Sequence, residues 1–305
     1  MPNITPLSWL IIALLAFIWG GTFLVTEIAL TQMPPFWIAA LRVGLAAALM
    51  ITVWRVQGFR LFLTAPKPSD FVALIFIGMT SSAVPFTLLA WGQQYVTSGF
   101  AGVSMAATGL IILPLAHFFV AGERMTLPKS IGFALGFAGV VILIGPQAFD
   151  TTGNKLETLG RLATLGAALC YALSSIVMRR LPAIDPIGLA TVLLLVATCI
   201  SFPVAFAVEG PPPLPSSKII VALGFLGLVP TAAANMLRVI VVRSAGPVFM
   251  SLVNYQVPVW AVLLGSLILN EPLPPSLAWS LVLILGGVAL SQYRVIATLF
   301  GRGAR

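Results

Sequence analysis

The sequence predicts an all-α polytopic membrane protein, with ten transmembrane helices in two inverted five-helix repeats. Three observations predict it. Ten apolar runs cross the chain, the basic residues between them crowd to one side, and the second half repeats features of the first.

The runs come first. An α-helix rises about 1.5 Å per residue, so about 20 mostly apolar residues cross a hydrocarbon core about 30 Å thick. The runs are residues 7–30, 36–54, 71–91, 101–120 and 131–145, then 159–177, 187–208, 219–239, 248–269 and 277–297. Runs 131–145 and 159–177 are short. Hydrophobic residues make up 59% of the chain and charged residues 8%, with a mean hydropathy of +1.08. A soluble protein of this length has no core large enough to hide that much apolar surface, whereas a bilayer covers it. The runs are continuous, not alternating over about ten residues, which excludes a β-barrel. Of eight acidic residues only Glu27 and Glu271 fall within or against a run.

The formal charge of +8 raises the question of nucleic acid. The 16 basic residues lie singly or in pairs between apolar runs, with no basic face to lay along phosphates, so no nucleic-acid partner is expected. Topology explains them. With the N-terminus cytoplasmic, twelve basic residues collect inside and only Lys155, Arg161 and Lys218 outside, while Arg42 lies within a run. This is the positive-inside pattern, with both termini cytoplasmic. The first run lacks the charged flank and cleavage site of a secretory signal, so it is expected to be retained. A bacterial inner membrane fits this compact arrangement, and a eukaryotic organelle membrane stays open. Cys170 and Cys199 sit in apolar runs and are expected to be small buried hydrophobes.

The halves resemble one another. Val72-Ala-Leu-Ile-Phe-Ile-Gly78 overlays Val221-Ala-Leu-Gly-Phe-Leu-Gly227, Glu123 and Glu271 each precede a Pro-containing turn, and Gly139-Val140 matches Gly287-Val288. The predicted units are residues 1–147 and 159–305, joined by 148–158. Five crossings per half make the second half enter from the opposite face, and inverted halves exchange conformations to open a central site to each side in turn. Glu123 and Glu271 are expected to cap or fix the turn into the next helix.

Several residues can line a path between the halves. Pro85 and Pro230 fall in the third and eighth runs, where a missing N–H frees a carbonyl and permits bending. Glu27 and Arg42 each lie seven residues from the Pro34-Pro35 pair. Counted from there they share a depth near 10 Å, as a structural ion pair, as cavity-facing groups for substrate carboxylate recognition, gating or coupling, or as charges snorkelling to the interface. Trp19, Thr22 and Thr26 share one helix face. Trp91 with Tyr95, Ser104 with Thr108, and Tyr171 with Ser175 are each four apart. Asn235, Asn254 and Tyr255 lie in the eighth and ninth runs. Polar side chains at such depths face a bundle interior or a wet cavity, because lipid offers no hydrogen-bond partner. The candidate substrate-binding set is Trp19, Thr22, Trp91, Tyr95, Ser104, Thr108, Tyr171, Asn235, Asn254 and Tyr255. A cavity of this composition suits a small amphipathic or zwitterionic solute. Trp9, Trp37, Trp54 and Trp279, near run ends, read as interfacial anchors.

Other chemistry lacks its residues. There is no phosphate-binding Gly-rich loop with its Lys, no His-Glu-x-x-His and no Cys cluster, and the single His117 has no Asp nearby. No enzyme activity, cofactor or metal is expected. The partners are a small-molecule substrate and the lipid bilayer. One chain suffices to enclose a cavity, and an oligomer is left open.

The pattern of Trp19-Gly20-Gly21-Thr22-Phe23, Ala40-Leu41-Arg42 and the two Glu-containing turns resembles the drug/metabolite transporter superfamily, in its ten-helix EamA-type branch. The resemblance covers residues 7–294. It implies an inverted five-plus-five bundle with a central cavity alternately exposed, similar to bacterial amino-acid and metabolite exporters. The residues leave two further readings open: a lipophilic drug or cation exporter, and a non-transporting receptor or scaffold.

Overall fold

The computed structural model describes residues 5–119, 125–144, 155–245, 247–250, 252–273 and 275–291, with residues 293 and 297. Seven of its helices are long and apolar enough to cross a membrane, and three apolar helices, Leu127–Leu143, Gln256–Leu269 and Pro275–Ser291, are shorter. The protein is therefore an all-α polytopic membrane protein with seven to ten apolar helices. Among the described residues, extended pairing is confined to one antiparallel bridge between Phe62 and Ile184, which ties two loops together.

Helix starts follow local chemistry where the sequence supplies it. The helix α1 (Pro6–Leu30) opens on a capping box in which Thr5 and Ser8 satisfy each other's amides, with Pro6 in its first turn. Asp185 accepts from the Ile187 and Gly188 amides, at 3.0 and 2.9 Å, to start α8 (Pro186–Glu209). Two other helices lack such help. The side chain of Pro34 offers no acceptor to α2 (Pro35–Val56), and Ser98 stands at the head of α5 (Ser98–Phe119). Both are capped from afar. Glu209, ending α8, accepts from the Phe36 and Trp37 amides at 3.1 Å each; Glu271 accepts from Ser98 at 2.8 Å and Gly99 at 3.1 Å. Carboxylates there complete orphan N–H groups and meet the positive end of the helix dipole. This corrects the expectation for Glu271, which holds a helix 172 residues upstream, not the next one. Glu123 lies outside the described residues.

The third and eighth runs are interrupted helices. A π turn (Met79–Ala83) links α3 (Pro68–Gly78) to α4 (Val84–Gly92), and a second π turn (Gly227–Ala233) links α9 (Ser217–Leu226) to α10 (Ala234–Ala245). Each turn shows the i→i−5 bond directly: Val84 N–H to the Met79 carbonyl, and Ala234 N–H to the Val229 carbonyl. The remaining helices are α6 (Leu127–Ile144), α7 (Lys155–Met178), the short α11 (Pro247–Met250), α12 (Val253–Leu269) and α13 (Pro275–Ser291). The α7 helix begins inside the expected 148–158 connector, since 155–158 are already helical; 148–154 lie outside the described residues.

The main pairings are α6 with α13, α2 with α8, α1 with α12, and α5 with both α7 and α12; α4 packs on α7. Small residues set the closest approaches. A Cβ on Gly20 would sit 2.5 Å from Trp260 Cβ, so α1 touches α12 only because Gly20 lacks one. A Cβ on Gly132 would strike the Gly287 carbonyl, which makes Gly132-x-x-x-Gly136 the seam between α6 and α13. Large apolar side chains such as Leu7, Phe118, Leu267 and Val282 face outward, where the bilayer covers them. Cys199 joins them: it is exposed on the outside of α8, not buried, because lipid rather than protein covers that face. Trp37 departs the other way. It is buried, with its indole N–H donating to the Gly210 carbonyl at 2.9 Å, and is not a free interfacial anchor.

Candidate functional site

The two π turns meet around Arg42. The prolines explain the turns' shape and what they expose. Pro230 has no N–H, so the carbonyl one helical turn back, that of Leu226, loses its usual donor. The Thr231 hydroxyl takes that role, donating to the Leu226 carbonyl at 2.7 Å. The Pro230 carbonyl receives the Trp19 indole N–H at 3.0 Å from α1, and the Asn235 amide donates to the Thr231 carbonyl. Pro85, also buried, stands just after the first π turn and presents Phe86 to the same region.

Arg42 sits on the buried face of α2, seven residues and thus about 10 Å below the helix start. Its Nε donates to Thr231 Oγ1 at 2.8 Å, and its Cζ lies 3.9 Å from the centroid of the Phe86 ring. The residue after each proline therefore holds one side of the guanidinium. The Tyr171 phenol, on α7, lies within electrostatic reach of it. Arg42, Phe86, Thr231, Pro230, Trp19 and Asn235 are thus brought together by α1, α2, α4, the second π turn and α10.

Glu27 is not part of this group. The expected ion pair is absent: among the described residues no carboxylate lies within 4.0 Å of Arg42, whereas Arg161 does pair with Glu157. The reason is geometric. The α1 helix ends at Leu30, so Glu27 is three residues from its helix end whereas Arg42 is seven from its own, and the shared depth fails. Glu27 lies instead beside Gln93 and within electrostatic reach of Glu271. Gln93 is buried and donates to the Phe23 carbonyl at 2.9 Å, while Glu27 Oε2 is buried without a partner.

The other predicted residues separate. The Thr22 hydroxyl donates back to the Ile18 carbonyl at 3.1 Å. Ser104 is fully buried, donating to the Phe100 carbonyl and accepting from the Thr164 hydroxyl at 3.1 Å, which joins α5 to α7; Thr108, one turn on, is half-buried. Trp91 and Tyr95 stack edge to face at 5.1 Å. Trp91 lines an open cleft of about 520 Å³ with Met33, Phe36, Gln94 and Glu209. Asn254 is exposed on α12, and the Tyr255 side chain lies outside the described residues. Phe86, Thr231, Gln93 and Glu209 escaped the sequence reading. The signal for the first two was present, since each directly follows a proline already singled out. Glu209 carried the same mark as Glu271, an acid closing an apolar run before a Pro-rich turn.

Comparison with known proteins gives a consistent picture. The model of the EamA-like transporter family matches residues 7–145 and again 158–293. The uncharacterized transporter YvbV of Bacillus subtilis is 25% identical over 284 residues, covering 92% of this chain and 90% of its own. The uncharacterized inner membrane transporter YedA of Escherichia coli K12 is 27% identical over 256 residues, covering 83% and 79%. A probable amino-acid metabolite efflux pump of the same strain is 29% identical over 170 residues, 55% of this chain and 52% of that one. One crystal structure, 21% identical, covers 95% of this chain and 98% of its own with a TM-score of 0.65, which shows a shared fold.

Proposed function

The chain belongs to the EamA-like transporter family, and from that premise we propose an alternating-access carrier that exports amino acids, aromatic and other neutral ones included, or similar small metabolites. Membrership in that family makes it a multi-pass membrane transporter; the mechanism, cargo and direction are this proposal. In it, two inverted five-helix halves, residues 1–147 and 159–305, rock about the Arg42 region. Both termini face the cytoplasm of a bacterial inner membrane, and no catalytic step is involved.

The observation that carries the reading is the double match of one family model, at 7–145 and 158–293. Helix packing supports it. Exchanging first-half helices for their second-half counterparts turns the α1–α12 contact into α7–α5, and leaves α2–α8, α5–α12 and α6–α13 unchanged. Packing that keeps most of its contacts under this exchange is what two inverted halves alternating between two forms would show. The partial likeness to an amino-acid metabolite efflux pump, and the aromatic and polar groups around Arg42, support the cargo.

The test is flux of a broad amino-acid panel through the purified chain in sealed vesicles, with and without an imposed proton gradient. Saturable flux of neutral amino acids is expected, and none across the panel would sink the reading. A second reading, a lipophilic cation exporter, draws on the unpartnered Glu27 Oε2; dye efflux exceeding amino-acid flux would select it.

A further inference from the structure

Arg42 carries a positive charge that the protein itself does not answer. A guanidinium has five N–H donors in a fixed fork. One of them, on Nε, is used by Thr231. The four on Nη1 and Nη2 make no hydrogen bond, and no carboxylate lies within 4.0 Å among the described residues. The side chain is nevertheless nine-tenths buried, at 9% exposure. With only Thr231 and the Phe86 ring answering it, a charge so largely removed from water costs several kcal/mol unless something else meets the remaining donors.

The unpaired edge is also reachable. The sealed side-chain polar atoms that lack a partner are Glu27 Oε2, Ser98 Oγ and Ser201 Oγ, and neither Nη of Arg42 is among them. Phe86 covers one face of the guanidinium and Thr231 fixes its Nε end. The donors left over are those of Nη1 and Nη2, and two of them run parallel along one edge, the edge that a carboxylate engages with both oxygens. One fixed positive charge balances a monoanion, and the Phe86 ring on its face suits an apolar remainder.

We infer that Arg42, clamped between Phe86 and Thr231, is the carboxylate-binding subsite of this protein, and that its cargo is a small amphipathic monocarboxylate held by the two oxygens on Nη1 and Nη2. This rests on the transporter reading for its purpose, while binding itself can be measured without transport. Because Phe86 and Thr231 belong to the two interrupted helices, a carboxylate seated there touches the region where both bend.

The test is equilibrium binding to the purified full chain in lipid nanodiscs, followed by ligand-induced thermal shift. Two matched series serve as probes: L-phenylalanine, hydrocinnamate and phenethylamine, then L-leucine, isocaproate and isoamylamine, with inorganic phosphate alongside. In at least one series the acids should bind about 10- to 100-fold tighter than the amine. R42Q should erase that preference. R42K, which keeps the charge and removes the fork, should retain only part of it and guards against a Gln variant that misfolds. An amine bound as tightly as its acid, a preference that survives R42Q, no binding in either series, or phosphate bound best would each overturn the subsite. The two readings fail separately. Carboxylate binding without vesicle flux sinks transport and leaves Arg42, whereas equal flux of acid and amine sinks Arg42 and leaves transport.

Discussion

The two π turns have similar backbones and different surroundings. Each interrupts an apolar helix, carries an i→i−5 bond and has a proline in or just beyond it. Around the second turn side chains from other helices supply partners: Trp19 from α1 donates to the Pro230 carbonyl, and Arg42 from α2 donates to the Thr231 hydroxyl. Around the first turn the hydroxyls stay local. Thr80 donates to the Phe76 carbonyl at 2.8 Å, Thr87 to the Ala83 carbonyl at 2.9 Å, and Ser81 and Ser82 lie 3.5 Å apart. The turn packs on α8, and Phe86 just beyond it reaches Arg42. The lesson is that a backbone defect becomes a site only when another helix supplies the group that answers it. Mutations on the two sides should therefore differ sharply in effect.

The largest effect is expected from Thr231→Val. The shape is kept, but Arg42 Nε loses its acceptor and the Leu226 carbonyl its donor. A buried charged donor left unsatisfied costs about 2–3 kcal/mol. Thermal unfolding in nanodiscs should register that loss, and vesicle flux should fall by about tenfold or more. A variant as stable and as active as the parent would mean that the second turn does not depend on its cross-helix partner.

Trp19→Phe comes next. It keeps the ring and removes the N–H that answers the Pro230 carbonyl. Interhelical hydrogen bonds inside membranes contribute about 0.6–1.7 kcal/mol, so a fall of about 1 kcal/mol is expected in chemical denaturation from lipid or detergent. The contrast with Trp37→Phe sharpens the comparison. Trp37 also donates to a backbone carbonyl, that of Gly210, yet at the end of the bundle where α2 starts and α8 stops. Both variants should lose stability, and only Trp19→Phe should also slow flux.

What the sequence revealed follows from the range of the forces involved. The apolar runs depend on neighbours in the chain, and they read directly, whereas the close approach of Gly132 to Gly287 needs the packed bundle and did not. Pro85 and Pro230 marked where the helices would depart from α geometry, although a five- to seven-residue π turn leaves no periodicity of its own. The caps by Glu209 and Glu271 did not read, because carboxylate and amides are 172 or 173 residues apart and only the packed bundle joins them. The Glu27–Arg42 pairing failed for a related reason. Depth was counted from Pro34-Pro35, whereas α1 stops at Leu30 and a short loop intervenes.

The smallest effect should come from the first turn, with Thr80→Val. The Thr80 hydroxyl donates to a carbonyl four residues back, and the contact is exposed. Such back-bonding within a helix adds little, because the carbonyl keeps access to its backbone donor and the hydroxyl bends the helix as much as it stabilises it. The expected change in stability is within about 0.5 kcal/mol, with flux within about twofold of the parent. A loss matching that of Thr231→Val would show that the first turn also depends on its hydroxyl. The difference between the turns would then lie in the helices around them, not in the side chains they carry. A near-silent Thr80→Val beside a damaging Thr231→Val would instead assign the asymmetry to the one hydroxyl that holds Arg42.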